Sequence, residues 1–109
     1  MKPKYLEKHN YKKYKDYCSY KCINIVFEQN DKEDNEKAVL RGMYKGYLYG
    51  MKLFDALLKR NRNIKNFEIY NLLKYHKSHG TTLFGEDKAI LDIMNIMCDD
   101  FPNKGTDNF

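Results

Sequence analysis

A helical period runs from about Asp34 to Arg60, and no proline breaks it. Leu40, Tyr44, Tyr47, Met51, Phe54 and Leu58 recur at alternating four- and three-residue steps. At roughly 100° per residue, these six fall within an arc of about 80°. Lys37, Arg41, Lys45, Lys52 and Lys59 occupy a separate arc of about the same width. Apolar and basic residues sorted in this way predict one long helix. Asn30 or Asp31 is its expected cap, with Glu33 and Asp34 suiting the positive end of its dipole. Lys59, Arg60 and Arg62 suit the negative end. The two prolines, Pro3 and Pro102, stand near the two ends of the chain.

Three glycines, Gly42, Gly46 and Gly50, repeat every fourth residue within this helix, with Ala38 in line. Each costs about 1 kcal/mol relative to alanine in a helix interior. Three at one spacing therefore imply a use: a smooth groove, flanked by Val39, Met43, Leu53 and Leu57, that another helix approaches closely. Lys45 and Lys52 argue against a membrane setting for it. The groove serves either packing within the chain or a homodimer contact.

The same period extends to the rest of the chain. Tyr11, Tyr14, Cys18, Cys22 and Ile25 form a seam that predicts a first helix from about Lys4 to Phe27. Ile23, Val26 and Phe27 also fit a short strand, since β-branched residues cluster there. A third helix is expected over Phe67–Ser78, capped by Asn66 and ended by Gly80, with Ile69, Leu72, Leu73 and His76 on its apolar face. A fourth spans Glu86 to about Phe101, burying Ile90, Ile93, Met94, Met97 and Phe101, with Cys98 beside Leu91 as a further core residue. The fold class is all-α: about four helices packed as a small bundle around a long central helix, in one domain over residues 1–101. Residues 102–109 are expected to form a flexible tail.

Charge is laid down in blocks. Residues 1–22 balance to +5, residues 23–36 to −4, residues 37–77 to +8 and residues 78–109 to −4. The net +5 hides two basic segments that could converge on one face. Tyrosines interleave the first. Tyr17 and Tyr20 fall off the apolar seam and are expected to be exposed. Seventeen lysines against three arginines favour backbone or shape contacts over bidentate base reading. The excess of lysine, asparagine, isoleucine and tyrosine also matches the bias of an AT-rich genome.

No catalytic signature accompanies the charge pattern. The loop Gly80-Thr81-Thr82-Leu83-Phe84-Gly85 has phosphate-loop glycine spacing, but Glu86 and Asp87 stand where lysine and a hydroxyl are needed. No serine–histidine–acid or cysteine–histidine motif is visible, and enzyme activity is not expected. Cys18 and Cys22, with His76 and His79, have spacings that two neighbouring helices could bring into a zinc site. A cysteine on an apolar seam more often acts as a small hydrophobe, and no cofactor is expected. Three cysteines make no disulfide framework, which suits a reducing cytoplasm. No apolar run follows the basic N-terminus or is long enough to span a bilayer, so neither a signal peptide nor a membrane partner is expected.

The sequence therefore reads as a non-catalytic accessory protein that binds another macromolecule. Its size and charge fit a phage- or plasmid-type inhibitor or modulator of a host machine that processes nucleic acid. The expected contact residues are Lys12, Lys13, Lys15, Tyr17 and Tyr20, with Arg41, Lys45 and Lys52. Their partner would be an acidic protein surface or a nucleic-acid-bound complex. Direct nucleic-acid binding through the same face is the alternative. A structural oligomer held through Gly42, Gly46 and Gly50 is a further one.

Overall fold

The computed structural model describes residues 8–60, 66–79 and 85–99. They form four α-helices: α1 (Lys8–Glu28), α2 (Asp34–Arg60), α3 (Asn66–His79) and α4 (Glu86–Asp99). There is no strand among the described residues, and the fold is a small all-α bundle. The expected start near Lys4, the connector through Phe84, the end at Phe101 and the tail lie outside the described residues.

The bounds of α2 are those its periodicity predicts. Its cap differs. A 3-10 turn, Gln29–Asp31, follows α1 directly, and Lys32 is extended at φ −105° and ψ 152°. Residues 29–32 are spent reversing the chain, so Asn30 and Asp31 cannot cap α2. Glu33 precedes the helix instead, and its carbonyl accepts the Lys37 N–H at 2.9 Å. Ile23, Val26 and Phe27 are helical, which settles the strand alternative at the end of α1.

α2 is the central element. α1 runs antiparallel along one side of it, α4 packs on another, and α3 lies mainly on α4. The α1 seam is buried as predicted: Tyr11, Tyr14, Cys18, Cys22 and Ile25 all enter the core. Tyr14 meets Phe54 of α2 with ring centroids 5.2 Å apart, and Tyr11 stacks on the same ring at 6.5 Å. Such pairs add about 0.5–1.5 kcal/mol beyond the area they bury. Ile69 and Leu73 of α3 are buried, whereas Leu72 is 45% exposed and does not join the core. α3 meets the bundle through Ile69 and Leu73, flanked by Tyr70 and His76, and Leu72 falls outside that strip. In α4, Ala89, Ile90, Ile93, Met94 and Met97 are buried. Cys98 is only partly buried, and its expected neighbour Leu91 is exposed, so neither belongs to the core proper.

The glycine groove of α2 is filled by the same chain. A Cβ on Gly46 would lie 2.7 Å from the Ala89 Cβ and 2.8 Å from the Glu86 carbonyl oxygen. One on Gly50 would lie 2.6 Å from Ile93 Cδ1 and 3.0 Å from Cys18 Sγ. Gly42 is buried as well. Packing of α4 on α2 thus accounts for Gly46 and Gly50, and these two glycines are not presented to a second copy. Gly85, just before α4, has φ +95° and sits against the Val39 carbonyl, so a side chain there meets both strain and backbone.

Gly46→Leu should therefore destabilise the fold itself by about 3 kcal/mol or more, the upper end for overpacking against a backbone that cannot yield. Urea unfolding at several protein concentrations checks this. The loss should appear in the midpoint and be independent of concentration.

Candidate binding face

Residues expected at a contact face divide into those that turn inward and those that remain outside. Tyr17 turns inward, against expectation. Its hydroxyl donates to Asp92 Oδ2 of α4 at 2.7 Å, and Tyr47 of α2 donates to the same oxygen at 2.6 Å. The two rings meet edge to face at 6.3 Å. One carboxylate oxygen thus ties α1, α2 and α4 together. Burial, the hydrogen bond to Asp92 and the Asp92 charge all push both phenols well above their ordinary value of 10.0. Burial likewise pushes the Cys18 thiol from 9.0 to about 12. Lys21 lies 5.5 Å from the centre of the Tyr17 ring and covers its open side.

Lys15 is also used internally. It pairs with Asp55 of α2 at 2.9 Å, and Lys59 pairs with the other oxygen of that carboxylate at 3.0 Å. Hydrogen bonds from Lys15 and then Lys59 hold the Asp55 carboxyl below its ordinary value. Lys12 is exposed and pairs with Asp16 at 3.0 Å, a surface contact that water largely screens. Lys13 and Tyr20 are exposed on the outer side of α1.

Arg41, Lys45 and Lys52 remain as an outward row on α2. The Arg41 Nε donates to the Lys37 carbonyl at 3.4 Å. None of the three has a carboxylate partner among the described residues. Beside them, the antiparallel packing of α1 on α2 leaves a groove with apolar walls. A hollow of about 190 Å³ is lined by Ser19, Cys22, Ile23, Tyr44, Leu48 and Met51. Val26 borders it and also lines a second hollow of about 290 Å³, together with Gln29, Tyr44, Arg41 and Lys45. Of the α1 lysines, Lys12 shares the groove flank with Ser19 and Ile23 by helical spacing, while Lys13 lies on the outer side and Lys15 is paired with Asp55.

The same half of α1 exposes Tyr20 (62%), Ile23 (55%), Val26 (53%) and Phe27 (69%). α1 is thus apolar on two faces in its C-terminal half: the seam packs on α2 and α4, and the other face meets solvent. Sequence reasoning did not assign Ile23, Val26 and Leu48 to a helical face. The available signal was the surplus of apolar residues at 23–27 beyond what one seam can bury.

Of the four candidate zinc ligands, the three whose side chains are described, Cys18, Cys22 and His76, are not grouped. Cys22 donates to the Tyr44 carbonyl at 3.8 Å, and Cys18 packs against Gly50. His76 stacks on Tyr49 at 3.9 Å and pairs with the buried Glu86 at 3.1 Å. The His79 side chain lies outside the described residues. Among the described residues no three histidine, cysteine or acidic side chains are grouped to hold a metal ion. No described helix is long and apolar enough to cross a membrane. No protein family, no curated protein and no solved structure matches the chain.

The raised phenols and thiol set an alkaline limit. The unfolded chain releases these protons first, so the native state binds more of them and stability falls as pH rises above 9. Urea midpoints from about pH 8 to about pH 11 should decline. The Tyr17→Phe/Tyr47→Phe variant should be less stable at neutral pH by about 1–3 kcal/mol, since Asp92 loses both donors, and its decline should be shallower.

Proposed function

We propose that this chain is a non-catalytic accessory protein that binds an acidic surface of another protein through the basic and apolar face shared by α1 and α2. One observation carries the reading: Arg41, Lys45 and Lys52 stand exposed, without carboxylate partners among the described residues, along an open apolar groove. Cations of one sign along a single flank steer an acidic partner, and the apolar groove supplies the area that holds it. Size and charge blocks extend the proposal to a cytoplasmic, phage- or plasmid-type factor that modulates a larger machine acting on nucleic acid.

A protein partner is favoured over nucleic acid by what lines the groove. The groove walls are mainly apolar and non-aromatic: Ile23, Val26, Leu48 and Met51 outnumber Tyr44, the single ring among the residues lining the two hollows, so the groove offers little for bases to stack on. A single arginine, Arg41, is available there for bidentate contacts.

The triple variant Arg41→Glu/Lys45→Glu/Lys52→Glu should keep the helical content of the parent. As bait at physiological salt, it should lose an acidic protein that the parent retains, with affinity reduced about tenfold or more. Anisotropy with labelled single- and double-stranded DNA and RNA provides the counter-test. Nucleic-acid binding should vanish by physiological salt. Strand-selective binding that persists there would make nucleic acid the target, and unchanged capture would remove these residues from the site.

A further inference from the structure

We infer that the α1–α2 groove takes one amphipathic α-helix of the partner, its apolar edge seated in the hollows and its carboxylates along the edge that faces Arg41, Lys45 and Lys52. This rests on the preceding reading and names the occupant.

Shape supports a helix. Two antiparallel helices leave between them a channel that a third helix fills in ordinary bundle packing. The channel runs from Ser19 on α1 to Gln29, the first residue of the 3-10 turn, and from Met51 back to Arg41 on α2. About ten residues on each side, at roughly 1.5 Å rise, give about 15 Å, or three helical turns. On α1, Ile23 and Val26 line the hollows at a step of three, and Tyr20 and Phe27 carry the exposed apolar surface on from Ile23 toward the outer side at steps of three and four. That spacing meets the ridges of a helix laid alongside. A peptide bound by strand pairing would need a free sheet edge, and the described residues contain no strand.

Charge fixes the chemistry of the occupant. From Lys37 through Phe54, α2 carries four cations and no acidic residue. The acidic residues nearest in sequence are already engaged: Glu36 with Lys32 at 3.8 Å, and Asp55 with Lys15 and Lys59. A second copy of the chain would bring the same cations to the interface, which costs like-charge repulsion. A membrane surface is flat and would leave the hollows unfilled.

The test is a display library of random peptides of about 16 residues, long enough for the three turns, panned on the full chain at physiological salt. Selected peptides should carry apolar residues at steps of three and four, with aspartate or glutamate on one adjoining edge. Their affinity, read by fluorescence polarisation, should fall at least about tenfold with Val26→Glu and with Arg41→Glu/Lys45→Glu. It should stay within about twofold with Tyr75→Glu, an exposed position on α3. All of these positions are exposed or at the rim, and circular dichroism confirms that each variant folds.

Failure to select any peptide, peptides without an acidic edge, or peptides indifferent to Val26→Glu would each overturn the proposal. If the triple charge reversal still abolished capture of an acidic protein, the charged face would stand and only the helix in the groove would fall. If capture were also unaffected, both readings would fall together. A parent dimer that Ile23→Glu splits in sedimentation would make a second copy the occupant. Binding to phosphatidylserine vesicles that Val26→Glu abolishes would make it a membrane. Either result overturns the proposal.

Discussion

The close approach of α4 to α2 at Gly46 and Gly50 sets the rest of the bundle. Without side chains there, Ala89 and Ile93 of α4 sit almost on the α2 backbone. Asp92 lies one residue before Ile93 on the same helix, so this depth of packing fixes how far its carboxylate reaches. At that depth it accepts hydrogen bonds from Tyr47 of α2 and Tyr17 of α1. The glycines therefore bear on the position of α1 as well, through Asp92 and through Cys18 against Gly50. A bulkier stripe would push α4 outward and separate Asp92 from both phenols. The helix-propensity cost of the glycines, about 1 kcal/mol each, is offset by contacts that only glycine permits.

The charge blocks follow from the same arrangement. An acidic fourth segment facing a basic second one suggests mutual neutralisation, and that is not how the described carboxylates are spent. Asp92 serves two tyrosines, and Glu86 meets His76. Asp55 takes Lys15 and Lys59, both outside the row formed by Arg41, Lys45 and Lys52. α4 covers the glycine side of α2, while the cationic arc lies on the far side of the apolar arc and out of its reach. The row stays unneutralised because helical geometry points it away from the residues that could pair with it.

Much of the fold was legible because it rests on local periodicity. The limits of α2, the α1 seam from Tyr11 to Ile25 and the buried stripe of α4 each repeat every three or four residues, which one strand of text displays. What was not legible depends on distant partners. Tyr17 sits off the seam and reads as exposed, yet its hydroxyl finds Asp92, 75 residues away. Lys15 reads as a contact cation, yet Asp55 takes it. Leu72 reads as core, but the width of the buried face of α3 is set by what lies opposite. The α2 cap was misplaced because Asn30 and Asp31 were needed in a turn, a competition between two uses of the same polar residues. Of the candidate contact residues, Arg41, Lys45 and Lys52 had an exposure that sign and spacing made legible. The groove beside them was not, since it exists only once two helices are set side by side.

Isolated exposed apolar residues are ordinary on a protein surface and imply nothing. Their distribution on α1 is different. Tyr20, Ile23, Val26 and Phe27 fall within two turns and next to two hollows. A helix whose only task was to cover α2 and α4 would need the seam alone, and polar residues at these four positions would preserve it. At roughly 25 cal/mol per Å² of apolar surface, leaving four large side chains in water forgoes several kcal/mol that burial would return. One helix thus carries Lys12, Lys13 and Lys15 in its N-terminal half and the exposed Tyr20, Ile23, Val26 and Phe27 in its C-terminal half. On α2 the cations and the walls of the hollows lie on adjoining arcs, so the two helices present the same pairing from both sides of the groove. Charge, hollow and exposed apolar strip thus converge on a single face of the bundle, opposite the glycines on which its packing depends.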